Sequence, residues 1–134
     1  MTNFPLLAAV PAMVACTAAA AAPEAAAPEA VAERHYCNLH FFTPQSMARH
    51  LALRGTLVAA VTERRELATG YRITFPGSFR EAGEFVDGIR GCCPTIGYAL
   101  QFAPHDGTAT LEISGGPGAK AFIAEEFRQL VRGQ

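Results

Sequence analysis

Two adjacent cysteines, Cys92 and Cys93, are the residues whose type and spacing most directly suggest chemistry in this sequence. Adjacent α-carbons lie only ~3.8 Å apart across a trans peptide, below the separation that most disulfides bridge, so a bond between these two residues would be strained and easily reduced. Four unevenly spaced cysteines in 134 residues also do not make a disulfide-stapled secreted framework. We therefore expect reduced thiols.

A third cysteine, Cys37, completes a candidate site for a soft metal or metalloid ion. Three thiolates make a trigonal ligand set that suits Hg(II), As(III) or Cu(I), since these ions prefer sulfur. Zn(II) would need a fourth ligand, which His35 or His40 could supply. The predicted metal ligands are thus Cys92, Cys93 and Cys37, and the alternative for each is a small hydrophobic residue in the core.

The pair is predicted to lie at the C-terminal end of a helix. Apolar residues recur with helical spacing at Phe79, Ala82, Val86, Ile89 and Cys93. Pro94 ends the pattern, and Cys92 is rotated by about 100° from the buried stripe, toward Phe85. The negative end of the helix dipole raises a thiol pKa, so we expect a bound cation, rather than activation as a free nucleophile, to deprotonate the pair.

The remaining periodicities predict an α+β domain. Helices are predicted over 44–63, 79–93 and 119–131, and strands over 71–75, 96–102 and 109–113. The first helix has Thr43 as its N-cap, and its predicted apolar face carries Met47, Leu51, Val58 and Val61. The order helix-strand-helix-strand-strand-helix predicts a three-stranded, largely antiparallel sheet with helices on one face.

Short local signals mark the boundaries of these elements. Residues 63–66 are charged and are interpreted as a turn. Ser78 and Glu81 have the spacing of a capping box, and Asp106 with Gly107 predicts a hairpin turn between the last two strands.

Residues 1–34 form a separate arm rich in Ala, Pro and Glu, and residues 35–134 form the single thiol domain. Repeated proline interrupts helices and alanine offers little apolar surface, so the arm is expected to be disordered. No Lys or Arg precedes Arg34, which favours a cytoplasmic protein over an exported one. The alternative is a signal segment and an exported lipoprotein anchored through Cys16.

Composition excludes several function classes. A formal net charge of -1 and the absence of Trp argue against nucleic acid as a partner. No apolar run approaches the ~20 residues of a membrane-spanning helix. The segment 115–120 resembles a phosphate loop only superficially, because the spacer and the Ser or Thr after the lysine are missing.

The segments 91–100 and 111–122 resemble a family of small, largely uncharacterised bacterial proteins. The shared features are a Cys-Cys-Pro strand start, here at Cys92, a Gly-x-x-Gly-x-Lys-x-Phe ending, here at Gly115, and an early cysteine, here Cys37. Thr95 replaces the aromatic residue that follows the proline in the family. The resemblance implies an association with heavy-metal (mercury and arsenic) resistance genes and with regulators of the mercury-responsive class.

Together these observations predict a soft metal or metalloid binder that serves as a scavenger, chaperone or accessory of heavy-metal detoxification. One alternative is a thiol-dependent enzyme that cleaves a metal–carbon bond, with Asp87 as the acid. The other is a non-catalytic structural or regulatory module in which the thiols are packing. Whether the domain forms a homodimer is left open.

Overall fold

The computed structural model describes residues 34–77, 79–105 and 107–134. The predicted arm, including Cys16, lies outside these residues except for Arg34. The proposed N-cap Ser78 and the turn residue Asp106 also lie outside them, so the predictions that rest on these positions remain predictions.

The described residues form four α-helices and a four-stranded antiparallel sheet. The elements are α1 (Pro44–Ala60), β1 (Glu63–Glu66), β2 (Gly70–Pro76), α2 (Phe79–Cys92), β3 (Gly97–Phe102), β4 (Thr108–Ser114), α3 (Ala119–Glu126) and α4 (Arg128–Arg132), with a single 3₁₀ turn at Leu39–Phe41 before α1. The strand order is β1-β2-β4-β3. The predicted α+β class is therefore confirmed, whereas the predicted three-strand element order is wrong.

The additional strand is β1, at the position interpreted as a charged turn. It pairs with β2 in the register Glu63↔Thr74 to Glu66↔Tyr71, and all four of its residues are exposed. A strand that buries neither face shows no alternation of apolar and polar residues, so hydrophobic periodicity could not indicate it. Charged side chains on such an edge also discourage pairing with another chain.

The sheet packs one face against the helices, as predicted. Tyr71, Ile73 and Phe75 of β2 alternate with half-buried residues, and β4 shows the same pattern. Their buried side chains join those of all four helices in one core. At the start of β2, a Cβ on Gly70 would overlap the carbonyl oxygen of Ile113, so close pairing of β2 with β4 requires glycine there.

The helix boundaries differ from prediction in two places. Helix α1 has the predicted cap, with Ser46 N–H donating to the Thr43 hydroxyl at 3.1 Å, but it ends at Ala60. Its buried residues are Leu53 and Leu57, while Leu51 is 55% exposed, because α1 rests on the domain along a different stripe from the predicted one. The C-terminal helix, predicted as one element, is divided into α3 and α4 at the buried Phe127.

Candidate metal site

The cysteine pair marks the end of α2. The Cys93 amide still donates to the Ile89 carbonyl at 2.8 Å, and Pro94 then provides no N–H to continue the helix. Cys92 and Cys93 are 5% and 1% exposed, so both are buried, whereas the sequence pattern places only Cys93 on the buried stripe. Compared with the predicted stripe, the buried stripe of α2 is rotated toward Phe85, which is fully buried. This rotation also brings Cys92 into the core.

Residues 35–42, called the N-terminal strap below, carry Cys37 to this helix end. The Asn38 amide donates to the Cys92 carbonyl at 2.6 Å, which satisfies one of the free carbonyl groups at the end of α2. The ring of Phe41 lies where a Cβ on Gly91 would be. Hydrogen bonds and close packing therefore hold the strap against α2, next to the cysteine pair.

The sulfur atoms of Cys37, Cys92 and Cys93 all lie within 4.8 Å of one another. Cys37 and Cys93 form a disulfide with their α-carbons 4.3 Å apart, and Cys92 is a free, buried thiol. The expected proximity of Cys37 to the pair is confirmed. The expectation that these thiols are reduced is wrong for Cys37 and Cys93. The strap brings the α-carbon of Cys37 to 4.3 Å from that of Cys93, close to the lower end of the usual disulfide range, whereas adjacent cysteines cannot easily bond to each other.

The environment of Cys92 keeps its thiol protonated. Burial raises the pKa of Cys92, and the nearby carboxylate of Glu126 raises it further. The pKa of Tyr98 is also raised, first by burial and then by the negative charges of Cys92 and Glu126 when these are ionised. The Tyr98 hydroxyl is buried without a hydrogen-bond partner in the described part of the chain. A free thiolate is therefore disfavoured here, and a cation would be needed to stabilise it.

Neither histidine of the strap is placed as a fourth ligand. The two ring nitrogens of His35 lie 3.0 Å from the Thr95 hydroxyl and 3.1 Å from the Pro117 carbonyl oxygen. His40 is exposed, and the group of described residues close enough to share an ion contains only the three cysteines. The arrangement is a three-sulfur set, and a tetrahedral site would require a further ligand.

Asp87, considered as an acid from the sequence, lies in a different place. It lines a cavity of about 300 Å³ between α1 and α2, together with His50 and the ion pair Arg49–Glu84. The cysteines line another cavity, of about 70 Å³, which includes His50 but not Asp87. The structure thus separates the carboxyl group from the thiols that it was expected to serve.

Two residues beside the cysteines escaped the sequence analysis. Glu126 ends α3 and Tyr98 lies in β3, 34 and 6 positions beyond Cys92. Tyr98 lies in the predicted strand 96–102, but that pattern gives it no role beside Cys92, and no local motif links Glu126 to the cysteines. Only packing of α3 and β3 near the end of α2 could reveal these roles. Arg54 lines the same cavity as Glu126 and donates to its backbone carbonyl at 2.9 Å.

Fold and site together define a small α+β domain with a cluster of three cysteines, of which Cys92 and Cys93 are buried and Cys37 is half-buried. No family model, curated protein or solved structure matches this chain. Among the described helices, none is long and apolar enough to cross a membrane.

Proposed function

We propose that the reduced protein binds a soft metal or metalloid ion, with Cys37, Cys92 and Cys93 as thiolate ligands, and acts as a scavenger or chaperone in heavy-metal detoxification. The observation that carries this proposal is the distance of at most 4.8 Å between the three sulfur atoms. Ligands at ~2.3 Å around a trigonal ion lie about 4.0 Å from one another, so after reduction the sulfur atoms of Cys37 and Cys93 would have to move apart to that distance.

The ligand set favours Hg(II), As(III) or Cu(I) over Zn(II). These ions accept three sulfur ligands, whereas zinc sites are almost always tetrahedral. Of the two histidines predicted as possible fourth ligands, His35 is engaged with Thr95 and Pro117, and His40 is exposed. Zinc binding through His35 would require the strap to give up these contacts.

The disulfide makes binding dependent on redox state. Metal ligation and the Cys37–Cys93 bond use the same sulfur atoms, so the two states exclude each other. A thiol or phosphine reductant supplies two electrons, and the two sulfur atoms take up two protons to give free thiols. Metal binding then releases the thiol protons, so affinity should fall as the pH falls, because the pKa of Cys92 is raised.

Native mass spectrometry with Hg(II), As(III), Cu(I) and Zn(II) tests this function. The full chain should carry Cys16→Ser, so that the arm contributes no thiol. The reduced protein should bind one Hg(II) or As(III), and the oxidised protein, which keeps only the Cys92 thiol, should bind both ions much more weakly. Cys92→Ser should weaken binding in the reduced state. Equal binding by the oxidised and reduced proteins, or by Cys92→Ser and its parent, would show that the cluster is not the site.

A second candidate is a structural cross-link, and the disulfide itself favours it. Cys37 and Cys93 are 56 positions apart, so the bond fastens the N-terminal strap to the end of α2. In that case the two bonded cysteines would contribute to stability alone. The two functions differ in the role of Cys92, which a cross-link does not need and a three-sulfur site requires.

The enzymatic alternative has weaker support. Cleavage of a metal–carbon bond requires an acid that protonates the carbon, and Asp87 does not line the cavity of the cysteines. Glu126 lines that cavity and would be the first carboxyl group to test for such an activity.

A further inference from the structure

A small cavity with a mostly apolar wall adjoins all three cysteines. Its volume is about 70 Å³. Besides the three cysteines, the polar side chains of His50, Arg54 and Glu126 and six apolar side chains line it: Leu39, Phe42, Met47, Leu51, Ile89 and Phe127. Ile89 and Phe127 are each 2% exposed, whereas Leu39 and Leu51 are 61% and 55% exposed and form its rim. The sulfur atoms of the three cysteines therefore lie beside hydrocarbon side chains as well as polar ones.

We propose that the preferred ligand of this site is a thiophilic ion that carries one methyl group, with the methyl group in the apolar cavity and the ion on the thiolates. This inference rests on the proposed function and specifies its substrate class. A bare ion would leave the apolar side chains of the cavity without a partner, whereas a methyl group packed against them is removed from water. The cavity has room for a methyl or ethyl group, but it is much smaller than the roughly 150 Å³ that holds benzene.

Arsenic(III) allows the methyl group to be varied at constant metalloid chemistry. Inorganic arsenous acid, As(OH)₃, exchanges three hydroxyl groups for three thiolates and forms three molecules of water. Monomethylarsenous acid, CH₃As(OH)₂, exchanges two hydroxyl groups for two thiolates and forms two molecules of water. In both reactions As–O and S–H bonds break, As–S bonds form and no electrons are transferred. The As–C bond of the methylated compound stays intact. The methylated compound thus needs two of the three cysteines.

The two compounds should respond to different substitutions. Met47→Phe fills the cavity without removing a thiol, so it should weaken binding of monomethylarsenous acid at least about four-fold, the factor that corresponds to ~0.8 kcal/mol for one buried methylene-sized group. The affinity of this variant for arsenous acid should stay within about two-fold of the parent protein's affinity. Cys37→Ser should have the opposite effect and weaken arsenous acid at least about ten-fold, since it removes one of three ligands.

Calorimetric titrations of full-length protein with Cys16→Ser, reduced by a phosphine, measure both affinities. Val58→Ala is the matched control, because Val58 lies on α1, is half-buried and does not line the cavity. Leu51→Phe narrows the same cavity from its exposed rim and replaces Met47→Phe if that variant fails to fold.

Opposite effects of the cavity and cysteine substitutions on the two compounds would establish the inference. If parent protein binds arsenous acid but both cavity variants bind the methylated compound as the parent does, or lose both compounds equally, the methyl site is refuted while the metal-binding function stands. If parent protein binds neither compound, both proposals fall.

Discussion

Reduction of the Cys37–Cys93 disulfide should lower the free energy of unfolding by about 4 kcal/mol. The bond joins residues 56 positions apart, and closing a loop of that length removes about 14 cal/mol/K of entropy from the unfolded chain. Small domains are stable by about 5–15 kcal/mol, so the reduced protein should remain folded but clearly weakened. Comparing the oxidised with the reduced protein isolates the contribution of the cross-link, since no core side chain is removed.

A soft ion should restore much of this stability under reducing conditions. A ligand that binds only the folded state at a hundred-fold excess over its Kd adds about 2.7 kcal/mol. Cys92→Ser is the matched control, because it leaves the disulfide intact and removes a sulfur ligand. This variant should show the same loss on reduction and little recovery with metal.

Urea denaturation measures these differences in four conditions: oxidised, reduced, and each of these with As(III). The slope of the free energy against urea concentration checks that the compared states unfold alike. If reduction lowers the free energy of unfolding by less than about 1 kcal/mol, the entropy argument for a cross-link of this span is wrong. If As(III) stabilises the oxidised protein as much as the reduced one, the ion binds elsewhere.

Two further predictions concern single substitutions. Glu126→Gln removes a carboxylate that opposes ionisation of the Cys92 thiol, so it should lower the pKa of that thiol. The pH profile for alkylation of Cys92 in the folded protein should then shift to lower pH. The neighbouring Glu125→Gln should not produce this shift, and equal shifts would refute the assignment. Gly70→Ala places a methyl group against the backbone of β4 and should cost roughly 1–3 kcal/mol in thermal unfolding. Gly83→Ala, in α2 with open space around its α-carbon, should instead stabilise by about 0.5–1 kcal/mol, and a loss there would contradict the argument.

Much of the local structure follows from short-range signals in the sequence. Thr43 and Pro44 set the start of α1, and Pro94 follows the end of α2, because capping groups and proline act within one helical turn. The alternating residues of β2 and β4 indicate strands with one buried face. By contrast, β1 buries neither face, and its pairing with β2 depends on the tertiary fold.

The sequence by itself determined which residue types could bind a soft ion, since thiols prefer such ions wherever they lie. It also placed two of the three thiols at a helix end, because adjacent residues cannot be separated by folding. Only the tertiary structure decided that Cys37 reaches them and that it pairs with Cys93 rather than Cys92. That choice depends on where the strap crosses α2, which is fixed by long-range contacts such as Asn38 with Cys92 and His35 with Thr95. The apolar cavity has the same origin, because its walls come from the strap, α1, α2 and the junction of α3 and α4, and no single segment contains its shape.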